Sequence, residues 1–208
     1  KIACYSLLTL AGRYHDMFQS NYLRLGREAL EKGKNEPPYA WLVHGEQRDP
    51  GATAKMLEIL HATGIEIHLA EAPFEADGAH YPAGTHILYC AQPYRPHLMD
   101  MFELQTYPDR SRTPGGPAEA PYDIAGWTLP LQMGVQYAMA SRPFDARAKL
   151  LEEIRPEPSQ IARDPGGLTV NRGTNDFYRH VNRPSRASIP YGFVDGGSLA
   201  VQNSIEFP

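Results

Sequence analysis

The sequence predicts an α/β layered domain, doubly wound around a mostly parallel sheet. Residues 39–43 and 65–69 have strand-like apolar patterns and flank a helix-length segment, which is long enough for the two strands to pair in parallel. A further apolar run at 85–91 leads into a second helical pattern. A hydrophobic content of 42% with 21% charged residues is typical of a folded chain that buries a core.

The longest helical pattern covers residues 5–32. Its apolar residues recur at spacings of three and four, which predicts a stripe that packs on a core. The stripe consists of Leu7, Ala11, Tyr14, Phe18, Tyr22, Leu25 and Ala29. Gly33 is placed to end the helix as its C′ residue. We therefore expect residues 1–33 to form one long packing helix, attached to an α/β domain at 34–145.

The first strand-helix-strand unit has clear boundary signals. Asp49 is a typical N-cap, Pro50 suits the first helical turn, and Gly64 suits the end of the helix. These residues predict a helix at 50–63, followed by the alternating strand 65–69.

The second unit begins at the turn signal of residues 81–84. The run 85–91 is almost wholly apolar, as expected for a strand covered on both faces. Pro96 then suits the first turn of a helix that places Leu98, Met101 and Phe102 on one face.

Beyond residue 135 the pattern weakens, and we expect 146–208 to be a linker and a partial continuation of the domain. Residues 137–140 and 168–170 resemble strands, and 175–182 a helix. Asp145 is a candidate cap for a helix at 146–154, and 156–167 has the composition of a linker. After residue 183 a Pro-, Gly- and Ser-rich stretch shows only short apolar runs, around Phe193 and Leu199.

Composition and charge exclude several functional classes. A net charge of −4 with scattered Lys and Arg argues against nucleic acid as a partner. No apolar run reaches the ~18 residues of a membrane span. The two cysteines, Cys4 and Cys90, predict neither a disulfide scaffold nor a metal-binding pair.

Three sequence segments carry a family resemblance. They are YPAGTHILYCAQPYRP at 81–96, ELQTYPD at 103–109 and PYDIAGWTLPLQMGV at 121–135. They resemble the segment that follows the peptidase domain in large bacterial proteins of the zinc carboxypeptidase family, the carboxypeptidase A-like metallopeptidases. Weaker resemblance extends to residues 14–34 and 174–183.

The resemblance implies an amidotransferase-type α/β fold without a zinc ligand of its own, in a bacterial protein whose zinc lies in an upstream peptidase domain. The partner would be that domain, with a homo-oligomer as a further option and the periplasm or exterior as the location. Because the chain starts at Lys1 inside a helical pattern, we expect it to be a piece of a longer protein.

A His-x-x-Glu pair, His68 and Glu71, is present, and His180 lies downstream. A zinc site needs three protein ligands that converge on one metal. Residues i and i+3 of a strand face opposite ways, so this pair is interpreted as a chance match and no zinc ligand is assigned.

Cys90 is a candidate nucleophile. A catalytic Cys in an amidotransferase-type domain occupies a sharp elbow flanked by glycines, which this sequence lacks. A buried, inert strand cysteine is the favoured interpretation.

Two loops supply the default ligand pocket. In a parallel sheet the loops after two strands meet at one edge, where such sheets bind ligands. The candidate residues are His44, Gln47 and Asp49 after one strand, and Gln92 and Arg95 after the other, with Arg95 as a carboxylate clamp. The alternative is ordinary capping and loop hydrogen bonding.

Tyr122 and Trp127 form a candidate interface patch, since both residue types are favoured at interfaces and equally where a loop is pinned to a core.

Three functions follow: a non-catalytic accessory segment of a zinc carboxypeptidase-like protein, a small-molecule-binding α/β module, and a cysteine-dependent hydrolase using Cys90.

Overall fold

The computed structural model describes residues 1–106, 111, 113–119, 128–155, 161–164, 167–186, 191–193 and 199–201. The described helices are α1 Ile2–Arg13, α2 His15–Asn35, α3 Pro50–Ala62, α4 Arg95–Phe102, α5 Leu129–Gln132 and α6 Asn175–Arg186. The described strands are β1 Ala40–Val43, β2 His68–Ala70, β3 Phe74–Ala76, β4 Ala79–Tyr81, β5 His86–Tyr89, β6 Tyr137–Ala140, β7 Ala148–Leu150, β8 Ile161–Asp164, β9 Gly167–Val170, β10 Tyr191–Phe193 and β11 Leu199–Val201.

The central sheet has five strands in the order β6-β1-β5-β2-β7, and every neighbouring pair is antiparallel. The α/β class is therefore confirmed, whereas the prediction of a doubly wound parallel sheet is wrong. Strands β1 and β2 do run in the same direction across helix α3, but β5 lies between them and runs the opposite way. This arrangement is a split β-α-β unit.

A hairpin that the sequence analysis did not predict explains the reversal. Strands β3 and β4 pair across Asp77 and Gly78, both with positive φ, 50° and 79°. Asp-Gly with two positive φ values is the signature of a type I′ turn. The hairpin returns the chain toward β2, so β5 pairs with β2 antiparallel.

The central strands are covered on both faces. Trp41 and Val43 of β1 face a core formed with helices α3 and α4, which contribute Leu60 and Phe102 among others. Ala40 and Leu42 face a second core closed by the hairpin. In β5, Leu88 joins the first core and Ile87 the second, which confirms the expectation of a strand buried on both sides.

The amino-terminal region differs from the single packing helix that the periodicity predicts. The chain bends at Tyr14, which has non-helical backbone angles and separates α1 from α2. No residue of α1 is buried, and in α2 only Ala29 and Gly33 are. The predicted apolar stripe thus lies mostly in solvent, and only its carboxyl-terminal end packs on the domain.

Gly33 has a different role from the predicted helix stop, since α2 continues to Asn35. A Cβ atom added at Gly33 would clash with the carbonyl group of Cys90 at the end of β5. The glycine therefore lets the helix approach the sheet closely.

The carboxyl-terminal half also departs from prediction. The segment 146–154 is not a helix capped by Asp145; it contains the edge strand β7, which pairs with β2. Strand β8 lies inside the predicted linker, whereas β9 confirms the strand predicted at 168–170, and both join β11 and β10 in a four-stranded antiparallel sheet. Within the described ranges, no helix has the length and apolar character needed to cross a bilayer.

Candidate functional site

The antiparallel topology separates the two loops that were predicted to form one pocket. Val43 at the end of β1 pairs with His86 at the start of β5, and Ala40 pairs with Tyr89. The loop after β1 and the loop after β5 therefore lie at opposite ends of the sheet. His44, Gln47 and Asp49 are not brought together with Gln92 and Arg95.

Gln92 is a structural brace. Its side chain is 1% exposed, accepts a hydrogen bond from the backbone N–H of Glu66 at 2.9 Å, and donates to the carbonyl oxygens of Tyr89 at 2.6 Å and Glu66 at 3.4 Å. The amide thereby joins the end of β5 to the chain that enters β2. All of its strong hydrogen-bonding groups are used inside the protein, so it has little to offer a ligand.

Arg95 lies at the start of α4, apart from the loop that follows β1. One guanidinium nitrogen donates to the carbonyl oxygen of Pro37 at 3.3 Å. Its Nε atom is buried and has no hydrogen-bond partner in the part of the chain that is described. The residue begins α4 and ties that helix to the segment before β1.

At the opposite end of the sheet, the Gln47 side chain forms backbone-like hydrogen bonds that extend the pairing of β1 with β6. Its side-chain nitrogen donates to the carbonyl oxygens of His44 at 2.9 Å and Gln136 at 2.8 Å, while its oxygen accepts from the Gln136 N–H at 2.9 Å. His44 stacks at a tilt on Tyr81, with 5.6 Å between ring centroids. Gln47 and His44 line a small cavity of about 70 Å³, and His86 lines it as well.

Asp49 connects two helices. Its Oδ1 accepts from the backbone N–H of Ala52 at 3.0 Å, which is the N-cap bond predicted for α3. Its Oδ2 accepts from the N–H of Asn175 at 2.7 Å, at the first residue of α6. Both helix termini favour a negative charge at this point. The second bond spans 126 positions of sequence, and no local pattern predicts it.

A cleft of about 960 Å³ lies beside Asp49. Helices α3, α5 and α6 form its walls. Its charged residues are Arg48, Asp49, Lys55, Glu58, Asp176 and Arg179. Lys55 pairs with Glu58 at 2.9 Å and Arg179 with Asp176 at 3.1 Å. No hydrogen bond or ion pair joins Arg48 to another described residue, so among the described residues its guanidinium is available at the cleft.

Cys90 is buried, as predicted. Burial raises the pKa of the Cys90 thiol to about 12, an effect that Arg95 opposes and Glu103 reinforces. A thiol that remains protonated at neutral pH is a poor nucleophile. The side chain belongs to the core formed by α3 and α4 against the sheet.

The residues of the His-x-x-Glu pair have separate partners. The His68 ring contacts Tyr89 edge-on at 5.1 Å, and Glu71 accepts from Arg147 at 3.3 Å. His180 lies on α6, which does not pack on β2 in the described structure. The described ranges contain no cluster of three side chains that could hold a metal ion.

Two histidines of the central sheet, His68 and His86, are each buried at one ring nitrogen. The Nδ1 atoms of His68 and His86 are inaccessible and have no partner in the described structure. Burial lowers the pKa of both side chains, and Glu66 opposes this effect at His68. Sequence reasoning did not identify His86, although its place inside an apolar strand run was visible.

Asp77 is also absent from the sequence predictions. Its carboxylate accepts hydrogen bonds from the backbone and hydroxyl of Ser141 and from Arg142, and the Ser141 backbone bond contributes most to lowering its pKa. The bonds fix the β3–β4 hairpin to the end of β6. The Asp-Gly pair was the signal that could have revealed it.

The candidate interface residues Tyr122 and Trp127 lie outside the residues that the structure describes. Comparison with known proteins gave no match to a family model, a curated protein or a solved structure.

Proposed function

We propose that this chain is a non-catalytic accessory segment of a zinc carboxypeptidase-like protein, and that it supports a peptidase domain without taking part in the chemistry. The peptidase domain of the same protein is its partner, zinc belongs to that domain, and the protein works in the periplasm or outside the cell. The three sequence segments at 81–96, 103–109 and 121–135 support this assignment.

One structural observation carries the accessory role. The connection from β5 to α4 is a strand-to-helix turn, the kind of turn at which α/β-hydrolases place a nucleophile, and here it is closed by internal hydrogen bonds. The Cys90 thiol is buried with a pKa of about 12, and the Gln92 side-chain amide is hydrogen-bonded to the backbone of Tyr89 and Glu66. A connection built in this way holds strands together and leaves no activated group at the surface.

The test compares the 208-residue chain with a longer product that carries it after a peptidase domain. Release of carboxyl-terminal residues from a peptide panel is measured with and without added zinc, and bound zinc is measured by mass spectrometry. We expect phenanthroline-sensitive activity and one zinc per chain only in the longer product, and none after His→Ala in its zinc motif. Peptide hydrolysis by the 208-residue chain, or an inactive longer product, contradicts the proposal.

The cleft beside Asp49 favours a second candidate, a small-molecule-binding module. A volume of about 960 Å³ is at the upper end of the range of ligand pockets, and Arg48 offers a free guanidinium to an anionic group. Amino acids and dicarboxylates, tested by thermal shift, are the appropriate probes. A shift lost in Arg48→Ala but kept in Arg142→Ala supports this candidate, and no shift with any probe removes it.

A further inference from the structure

The apolar arm, defined as residues 2–25, is the largest unexplained surface of the described chain. It contains eleven large apolar side chains that are between 42% and 84% exposed. They are Ile2, Tyr5, Leu7, Leu8, Leu10, Tyr14, Met17, Phe18, Tyr22, Leu23 and Leu25. Soluble monomers rarely expose a contiguous apolar patch of more than a few hundred Å².

The arm is anchored at one end. Ala29 and Gly33 pack α2 against the domain. The stripe that is covered at Ala29 and Gly33 continues at helical spacing through Gly26, Tyr22 and Phe18, and the side chains of Tyr22 and Phe18 are 69% and 52% exposed. The arm is therefore a continuation of a packed surface and not a loose terminus.

The exposed apolar area of the arm is large enough for a protein partner. At these exposures each side chain presents on the order of 100 Å², so the arm offers about 1,000 Å² against the ~800 Å² per partner of a standard interface. An isolated helix as short as α1 is marginal in water, so it gains much from a partner. The described arm is thus large enough to form a stable dimer.

The distribution of residues favours a second arm over a flat surface. Ile2, Tyr5 and Leu8 lie along one side of α1, while Leu7, Leu10 and Tyr14 lie along another. A helix that is apolar on several sides needs several neighbours. A pair of helices from another copy, combined with the chain's own α2, provides them.

Charge is compatible with an antiparallel pair. No charged residue lies between Lys1 and Arg13, so two such segments meet without like charges at their centre. Antiparallel alignment about Leu7 places Lys1 of one copy opposite Arg13 at the bend of the other, where the side chain of Asp16 is also 89% exposed. It also opposes the two helix dipoles, which is favourable.

We propose that the apolar arm pairs with the arm of a second copy of this chain, forming an antiparallel homodimer of α1–α2 units. This proposal does not depend on the proposed function, because it concerns the chain by itself. If the arms pair about Leu7, six helical positions separate the two Cys4 residues along the axis, about 9 Å at the rise of an α-helix.

Sedimentation analysis of the 208-residue chain between about 1 and 100 µM, which lies at and above the roughly µM weak end of the affinities of standard interfaces, is the primary test. We expect a dimer, and at least a tenfold increase in the dissociation constant for Leu8→Lys. Leu104→Lys is the matched control, because Leu104 is also 69% exposed but lies outside the arm. The near-ultraviolet circular dichroism of the core aromatic residues, among them Trp41, should be equal in both variants, which would show that the domain is folded.

A flexible bismaleimide should cross-link two chains through Cys4, which is exposed, and not through the buried Cys90. Cross-linking should disappear in Leu8→Lys and persist in Leu104→Lys. A monomer at 100 µM, or a dimer that Leu8→Lys leaves unchanged, overturns the proposal. So does flotation of a monomeric chain with anionic phosphatidylserine vesicles, which would assign the arm to a membrane surface.

Discussion

Helix α2 meets the sheet at Gly33, whose Cα faces the carbonyl group of Cys90 so closely that no Cβ fits between them. We expect Gly33→Ala to destabilise the fold by about 2 kcal/mol, because overpacking against rigid backbone outweighs the gain in helix propensity. Gly26 lies on the same helix with no neighbour within 4 Å. Gly26→Ala should therefore stabilise by about 0.5–1 kcal/mol. Urea denaturation measures both, and equal effects would contradict the close approach.

Gln92 joins two strands through its side chain, and its replacement should show this. We expect Gln92→Met, which keeps the size but removes the amide, to cost about 2–3 kcal/mol, since it leaves the Glu66 N–H and the Tyr89 carbonyl without partners. Gln105→Met, at an exposed position, should change stability by less than about 0.5 kcal/mol. Hydrogen exchange should also accelerate at Glu66. An unchanged exchange rate there is the contrary result.

The two histidines with buried Nδ1 atoms should make the fold sensitive to acid. Their folded pKa values lie below the unfolded value of ~6.5, so the unfolded chain binds more protons below that pH. Their contribution is complete above pH ~6.5 and is lost as the pH falls, at up to about 1.4 kcal/mol per pH unit for each histidine.

Unfolding free energies at pH 7.5 and 5.5, values that bracket the histidine pKa of ~6.5, test this expectation. His86→Leu should reduce the difference between the two pH values. Gln105→Leu, at an exposed position without a titratable side chain, should leave it unchanged. Equal slopes in the wild type and His86→Leu would show that His86 does not contribute.

The cysteines should differ in alkylation. With a pKa of about 12, the Cys90 thiol is ionised at pH 7.5 roughly a thousandfold less than an ordinary thiol. We expect iodoacetamide to add one group quickly, at exposed Cys4, and a second only after denaturation. Cys4→Ser should show no fast adduct. Fast modification of native Cys90 would return the cysteine-dependent hydrolase to consideration.

Local signals predicted the local elements well. Asp49, Pro50 and Gly64 define α3 because capping and turn chemistry depend on a few adjacent residues, and Pro96 begins α4 for the same reason. Strand directions were not predictable in this way. An apolar run shows burial on both faces but not which strand lies beside it, so β5 was placed parallel to β1.

The same limitation explains why the predicted ligand pocket does not form from the two loops. His44 and Gln92 were grouped because each follows a strand, and this grouping holds only if those strands are parallel. The Asp77–Gly78 turn was the available evidence for reversal. The error at 146–154 is similar, because β7 exists through its pairing with distant β2 and not through its own periodicity.

The carboxylate of Asp49 has a consequence beyond capping. Among the described elements, α6 is the one that packs both on α3 and on strands β9, β10 and β11. One Asp49 oxygen accepts from α3 and the other from α6, so this residue links the helix that covers the central sheet to the helix that covers the carboxyl-terminal sheet. Loss of the carboxylate should therefore weaken the junction between the two sheets as well as the start of α3.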